Sequence, residues 1–205
     1  MGSRTGSIYV NPVTQERAVV LVSSADSGGE LVRAELWAPP GARVAAPHTH
    51  PRQSERFEVR QGRLGVRYGS DTGVLDVGGA VEVPPGTVHD WWTHGDEPAR
   101  VLVEVRPALR FEEAIVTLWG LAAAGRTNPR GMPGPLQLAL LSHEWDDTIR
   151  FVSPPRPVQQ LMHRVLGPVA RRRGLRGAYP ELEQRILIGR LGEPLTLRGP
   201  APAGT

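Results

Sequence analysis

The stretch GARVAAPHTHPRQSERFEVRQG, residues 41–62, decides how this chain folds. Two of the six histidines in 205 residues stand one residue apart in it, at His48 and His50. Side chains along a strand alternate faces, so these two point the same way. In SERFEV, Glu55 shares a face with Phe57 and Val59, while Arg56 and Glu58 take the other. Phe57 and Val59 demand a core, so Glu55 is carried into it. A carboxylate in an apolar interior needs a counter-charge or a metal ion.

A third histidine comes from GGAVEVPPGTVHDWWTH, residues 78–94. VPPG forces a tight turn, and His89 opens the strand that follows. By alternation His89, Trp91 and Thr93 share a face, opposite Asp90 and Trp92. His48, His50, Glu55 and His89 together offer three neutral imidazoles and one carboxylate. That donor set suits a divalent first-row metal with about two coordination positions left open. The chain has no cysteine, so disulfides and thiolate ligation are excluded and nitrogen and oxygen must hold any metal.

Outward from these stretches, the chain reads as β up to about residue 110. Short Val- and Leu-rich runs such as RAVVLVSS, ELVRAELWAP, RLGVRYG and RVLVEVRP are separated by the turn signals NPVT, SADSGG, GSDTG and HGDEP. Strands at this spacing predict a sandwich or barrel. After Pro107 the period changes. Phe111, Ile115, Leu118, Trp119 and Ala122 fall at helical spacing, with Gly125 as a stop. LQLALLSHEWDDTIRF reads as a second helix and PVQQLMHRVLGPVARRR as a third, bent or broken at Gly167–Pro168. YPELEQRILIGRLG reads as a fourth, with Pro180 in its first turn. The expected organisation is a β-barrel over 1–110, a helical extension over 111–198 and a disordered tail over 199–205.

The two motifs resemble those of the cupin superfamily, in its single-domain form. The first cupin motif runs G-x5-H-x-H-x3,4-E-x6-G; here it falls on Gly41, His48, His50, Glu55 and Gly62, with the opening glycine one residue further out. The second runs G-x5-P-x-G-x2-H-x3-N; here it falls on Gly78, Pro84, Gly86 and His89, with Thr93 where asparagine is usual. The resemblance covers roughly residues 30–106 and leaves the helical part unexplained. It implies a mainly β fold, a jelly-roll β-barrel followed by an α-helical C-terminal extension. It also implies one metal ion (Fe, Mn, Ni or Zn) held inside the barrel by His48, His50, Glu55 and His89. Phe57, Trp91 and Thr93 are the expected substrate-pocket residues, and no catalytic residue beyond the ligands is assigned.

All 24 basic residues are arginine, and the formal net charge is only +3, so the high pI is no sign of nucleic-acid binding. No stretch reads as a secretory signal or reaches the apolar length of a membrane span, so the expected location is cytoplasmic. The expected function is a metal-dependent enzyme acting on a small organic molecule. An oxygenase or dioxygenase comes first, ahead of a non-redox cyclase, isomerase or lyase, and of a binding module without turnover. Phe111, Ile115, Leu118 and Trp119 form a stripe that a four-turn helix cannot bury alone. The helices are therefore expected to cover the barrel mouth or a subunit interface, with a homodimer as the expected assembly.

Overall fold

The computed structural model describes residues 2–193. Among them, twelve strands form: β1 (Ser7–Val10), β2 (Arg17–Val22), β3 (Val32–Ala38), β4 (His48–Thr49), β5 (Ser54–Gln61), β6 (Leu64–Tyr68), β7 (Asp71–Leu75), β8 (Ala80–Val83), β9 (His89–Thr93), β10 (Ala99–Arg106), β11 (Arg150–Phe151) and β12 (Leu187–Arg190). Four helices follow or interleave them: α1 (Phe111–Ala123), α2 (Pro135–Glu144), α3 (Arg156–Arg172) and α4 (Glu183–Ile186). One sheet runs β12-β1-β2-β3-β10-β5-β8 and the other β11-β4-β9-β6-β7. Neighbouring strands pair antiparallel throughout.

The period-2 pattern is reproduced residue by residue. On β5, Glu55, Phe57 and Val59 are buried while their neighbours are not, and on β9 the buried set is His89, Trp91 and Thr93. Phe57, Val59, Leu64, Val66, Val83, Trp91 and Val101 form the barrel core. Trp92 faces outward across Gly65, its partner in register on β6. A Cβ on Gly65 meets the Trp92 ring at 2.0 Å, so the indole lies where a side chain would stand. Gly65→Ala is expected to cost about 1–3 kcal/mol, because the ring must leave its seat. A denaturant midpoint equal to that of the parent chain would show that Trp92 moves freely.

The extension departs from its sequence pattern in three places. The second helix ends at Glu144; Asp146 takes Arg150 and Arg156 instead, and the chain turns out to pair as β11 with β4. With the Asp146 carboxylate held by those two guanidiniums the chain turns, the Thr148 and Ile149 N–H groups both donating to the Trp145 carbonyl. The third helix does not break at Gly167–Pro168, and Pro168 sits inside it. Pro168 and Arg164, whose carbonyl loses a donor, are both exposed, so the missing bond lies at the surface, where it costs least. The fourth helix is a 3-10 turn, Pro180–Leu182, followed by the short α4. Its ILIG run then extends as β12 against β1.

The extension is tied into the barrel. β11 and β12 lengthen one sheet each, and Val116 of α1 packs with Tyr9, Val20 and Ile186. The helices also share a core of Ala114, Leu121, Leu141, Trp145, Ile149 and Tyr179. The tail expected to be disordered, 199–205, lies outside the described residues.

Candidate metal centre

Three strands deliver the four residues. β4 begins with His48, and His50 follows directly after it. Glu55 is the first inward position of β5, and His89 opens β9 directly across from His48 in register. All four are buried, and one ligand-type atom from each lies within 4.8 Å of all the others. His89 Nε2 is 2.8 Å and His50 Nε2 3.2 Å from Glu55 Oε2.

The tautomers follow from the backbone. His48 Nδ1–H donates to the Ala46 carbonyl at 3.1 Å, His50 Nδ1–H to Thr148 at 2.6 Å and His89 Nδ1–H to Thr87 at 3.1 Å. With the proton on Nδ1, the His48 and His50 rings keep a lone pair on Nε2, the arrangement that orients imidazoles for metal ligation; His89 Nε2–H donates to Glu55 at 2.8 Å and gives that proton up to ligate. His50 Nε2 is buried and makes no hydrogen bond with any described residue. A buried acceptor left so costs free energy unless something binds it. The donor set and the orphaned nitrogen therefore fit a divalent cation.

Burial, reinforced by the neighbouring His50 and His89 rings, pulls the His48 pKa down to about 3, so it stays neutral. Burial alone would raise Glu55, but the neighbouring His50 and the hydrogen bond and charge of His89 overcome it and hold the carboxylate well below its usual range. Burial likewise works to lower His89, and its hydrogen bond to Glu55 outweighs that and raises it. The carboxylate is thus ionised, the form a cation needs.

The cluster opens on a cavity of about 180 Å³, with His48 and Glu55 in its wall. Leu36, Phe57 and Val103 line it from the barrel, and Ile115, Leu118 and Trp119 line it from α1. The helical stripe therefore closes the cavity, its residues half-buried. Trp91 and Phe57 stand in the cavity wall. Thr93 does not line the cavity: its hydroxyl donates to the Pro39 carbonyl at 2.9 Å and ties β9 to the loop before β4.

A buried acid in the cavity wall escaped the sequence. Glu16 is 6 % exposed and lines the same cavity, just ahead of β2. Thr14 Oγ1 donates to its Oε2, and its Oε1 accepts no hydrogen bond from any described residue. Burial raises its pKa to about 7, against the opposing pull of the Thr14 hydroxyl. The turn signal NPVT hid it. The inward alternation of Ala18 and Val20, continued back by one step, reaches Glu16.

A β-barrel of two antiparallel sheets with a buried three-histidine, one-glutamate cluster defines the class of protein. The cupin domain family model matches residues 37–105, and the chain carries a cupin domain there. A stretch of 48 residues is 42% identical to a probable oxidoreductase, virH, of Hypocrea virens, covering 23% of this chain and 22% of that protein. The chain thus matches only about a fifth of that relative's length. Among solved structures, it is similar to an RmlC-like cupin from Shewanella frigidimarina (21% identity, 55% of this chain and 92% of that one, TM-score 0.44). It is also similar to a predicted oxalate decarboxylase from Thermotoga maritima (16% identity, 51% and 94%, TM-score 0.45).

Proposed function

We propose that His48, His50, Glu55 and His89 hold one divalent metal ion and that the protein is an oxygenase acting on a small, largely apolar organic molecule. The observation that carries this reading is the common anchoring of the three imidazoles, each with Nδ1 fixed on a backbone carbonyl, around Glu55, with His50 and His89 Nε2 within 3.2 Å of its carboxylate. A metal bound there supplies Lewis acidity and, if it is redox-active, electrons for oxygen chemistry. The chain's own residues do the rest. Phe57, Trp91 and the α1 stripe take up an apolar body and exclude water from it. Glu55 supplies the negative charge that the cation requires. The likeness to an oxidoreductase over 48 residues favours the redox reading.

Glu16 favours a second reading, a metal-assisted isomerase or lyase. Such chemistry needs a proton acceptor near neutrality, and Glu16 is a second inward carboxylate with a pKa near 7. One experiment separates the two. The metal-stripped protein is reloaded with Fe, Mn, Ni or Zn and screened against small aromatic and aliphatic substrates, in air and under nitrogen. An oxygenase consumes dioxygen in step with product and is silent under nitrogen. Turnover that proceeds equally without oxygen, or with zinc as well as with iron, overturns the oxygenase reading in favour of the second.

A further inference from the structure

Helix α3 is built inside out. Of its seventeen residues only Gly167 and Ala170 are buried. The half-buried positions include the polar Gln159 and His163, while Val158, Leu161, Val165 and Val169 are exposed, Leu161 at 60 % and Val165 at 59 %. These four recur at helical spacing and make one outward stripe. Val152, just before the helix, is exposed as well. An outward apolar stripe of this length on a surface helix marks a binding surface.

Its charge says what it binds. Residues 148–180 contain seven arginines, at 150, 156, 164, 171, 172, 173 and 176, and no aspartate or glutamate. Arg150 and Arg156 share the single carboxylate of Asp146, and Arg176 pairs with Glu181. Arg164, Arg171, Arg172 and Arg173 make no ion pair with any described residue. Four uncompensated cations therefore accompany the stripe, three of them at its C-terminal end. No helix among the described residues is long and apolar enough to cross a membrane.

We propose that α3 is a docking surface for an anionic lipid bilayer, lying in the headgroup plane with its Val/Leu stripe inserted and Arg164 and Arg171–Arg173 on the lipid phosphates. A strongly amphipathic, weakly hydrophobic, arginine-bearing helix is the composition such binding requires. A second copy fits less well. An isologous contact brings the same surface from both chains together, and α3 has no acid to meet the partner's arginines. An acidic protein would have to bring a groove to this convex helix, whereas a bilayer deforms around it.

The test is co-sedimentation of the full chain with vesicles of phosphatidylcholine alone and of phosphatidylcholine mixed with phosphatidylglycerol, at low and high salt. The chain is expected to bind the phosphatidylglycerol vesicles and to release as salt screens the charges. Replacing Arg171, Arg172 and Arg173 with glutamine is expected to weaken binding roughly a hundredfold, from the contribution of each basic residue near an anionic surface. Leu161→Glu with Val165→Glu is expected to abolish it; both side chains are exposed, so the fold is not at stake. No binding to the anionic vesicles, or binding that survives either set of substitutions, overturns the proposal. Light scattering on the same variants then reads the alternatives. A dimer that becomes a monomer in Leu161→Glu/Val165→Glu makes α3 a self-interface, and a monomer throughout leaves the stripe to an acidic protein.

Discussion

His50→Ala is expected to empty the metal site while leaving the barrel folded. His50 is the informative ligand because its Nε2 has no other role: it is buried and unbonded, whereas His89 Nε2 bonds Glu55. Losing an outer partner of a metal ligand already costs about 10–100-fold in affinity, so losing a ligand is expected to cost at least about 100-fold. The fold pays less. Phe57, Val59, Leu64 and Val101 form the core without it. What the substitution removes is the bond from Nδ1 to the Thr148 carbonyl, which ties the segment after α2 to the site. An orphaned buried carbonyl costs about 1–3 kcal/mol. Elemental analysis after reloading, together with a denaturant midpoint, reads both effects. Wild-type metal content and affinity in the variant would remove His50 from the ligand set.

The site was legible in the sequence because strand geometry is local. His48 and His50, or Glu55 and Phe57, are two residues apart, and a period of two fixes their common face whatever the rest of the chain does. Thr93 shows the limit of that argument. Alternation sends it inward correctly, but its hydroxyl meets the Pro39 carbonyl, a contact across 54 residues that no spacing reveals. The helices were legible as helices and less so in extent. The period through Trp145 is helical, yet Asp146 stops it, and the ILIG run, which begins within α4, goes mainly to β12 because β1 offers an open edge. The orientation of α3 was the least legible. A stripe at 158, 161, 165 and 169 says that one face is apolar, and the convention that such a face turns inward fails here.

Glu16→Gln is expected to make the chain more stable above neutrality and to leave it unchanged in acid. The native carboxyl has its pKa raised from 4.5 to about 7, so the folded state holds its proton more tightly than the unfolded chain does. Below the unfolded pKa both states are protonated and the group is neutral with respect to folding. As pH rises through the interval from 4.5 to about 7, the unfolded chain releases the proton and the folded one resists. Above that interval the full cost is felt, about 3 kcal/mol for a shift of this size. Glutamine keeps an oxygen for the Thr14 hydroxyl and never ionises, so the penalty disappears. The measurement is unfolding free energy of metal-stripped parent and variant at about pH 5 and about pH 8, with the difference between the chains, rather than either alone, as the readout. A difference that stays constant with pH would mean that Glu16 titrates as a solvated carboxylate and that water reaches it through the cavity. A difference that grows toward high pH identifies a costly acid retained in the wall of the cavity where an amide would be more stable. Turnover that survives in this variant accords with the oxygenase reading, in which Glu16 has no part, whereas loss of turnover accords with the isomerase or lyase reading, which needs its carboxylate.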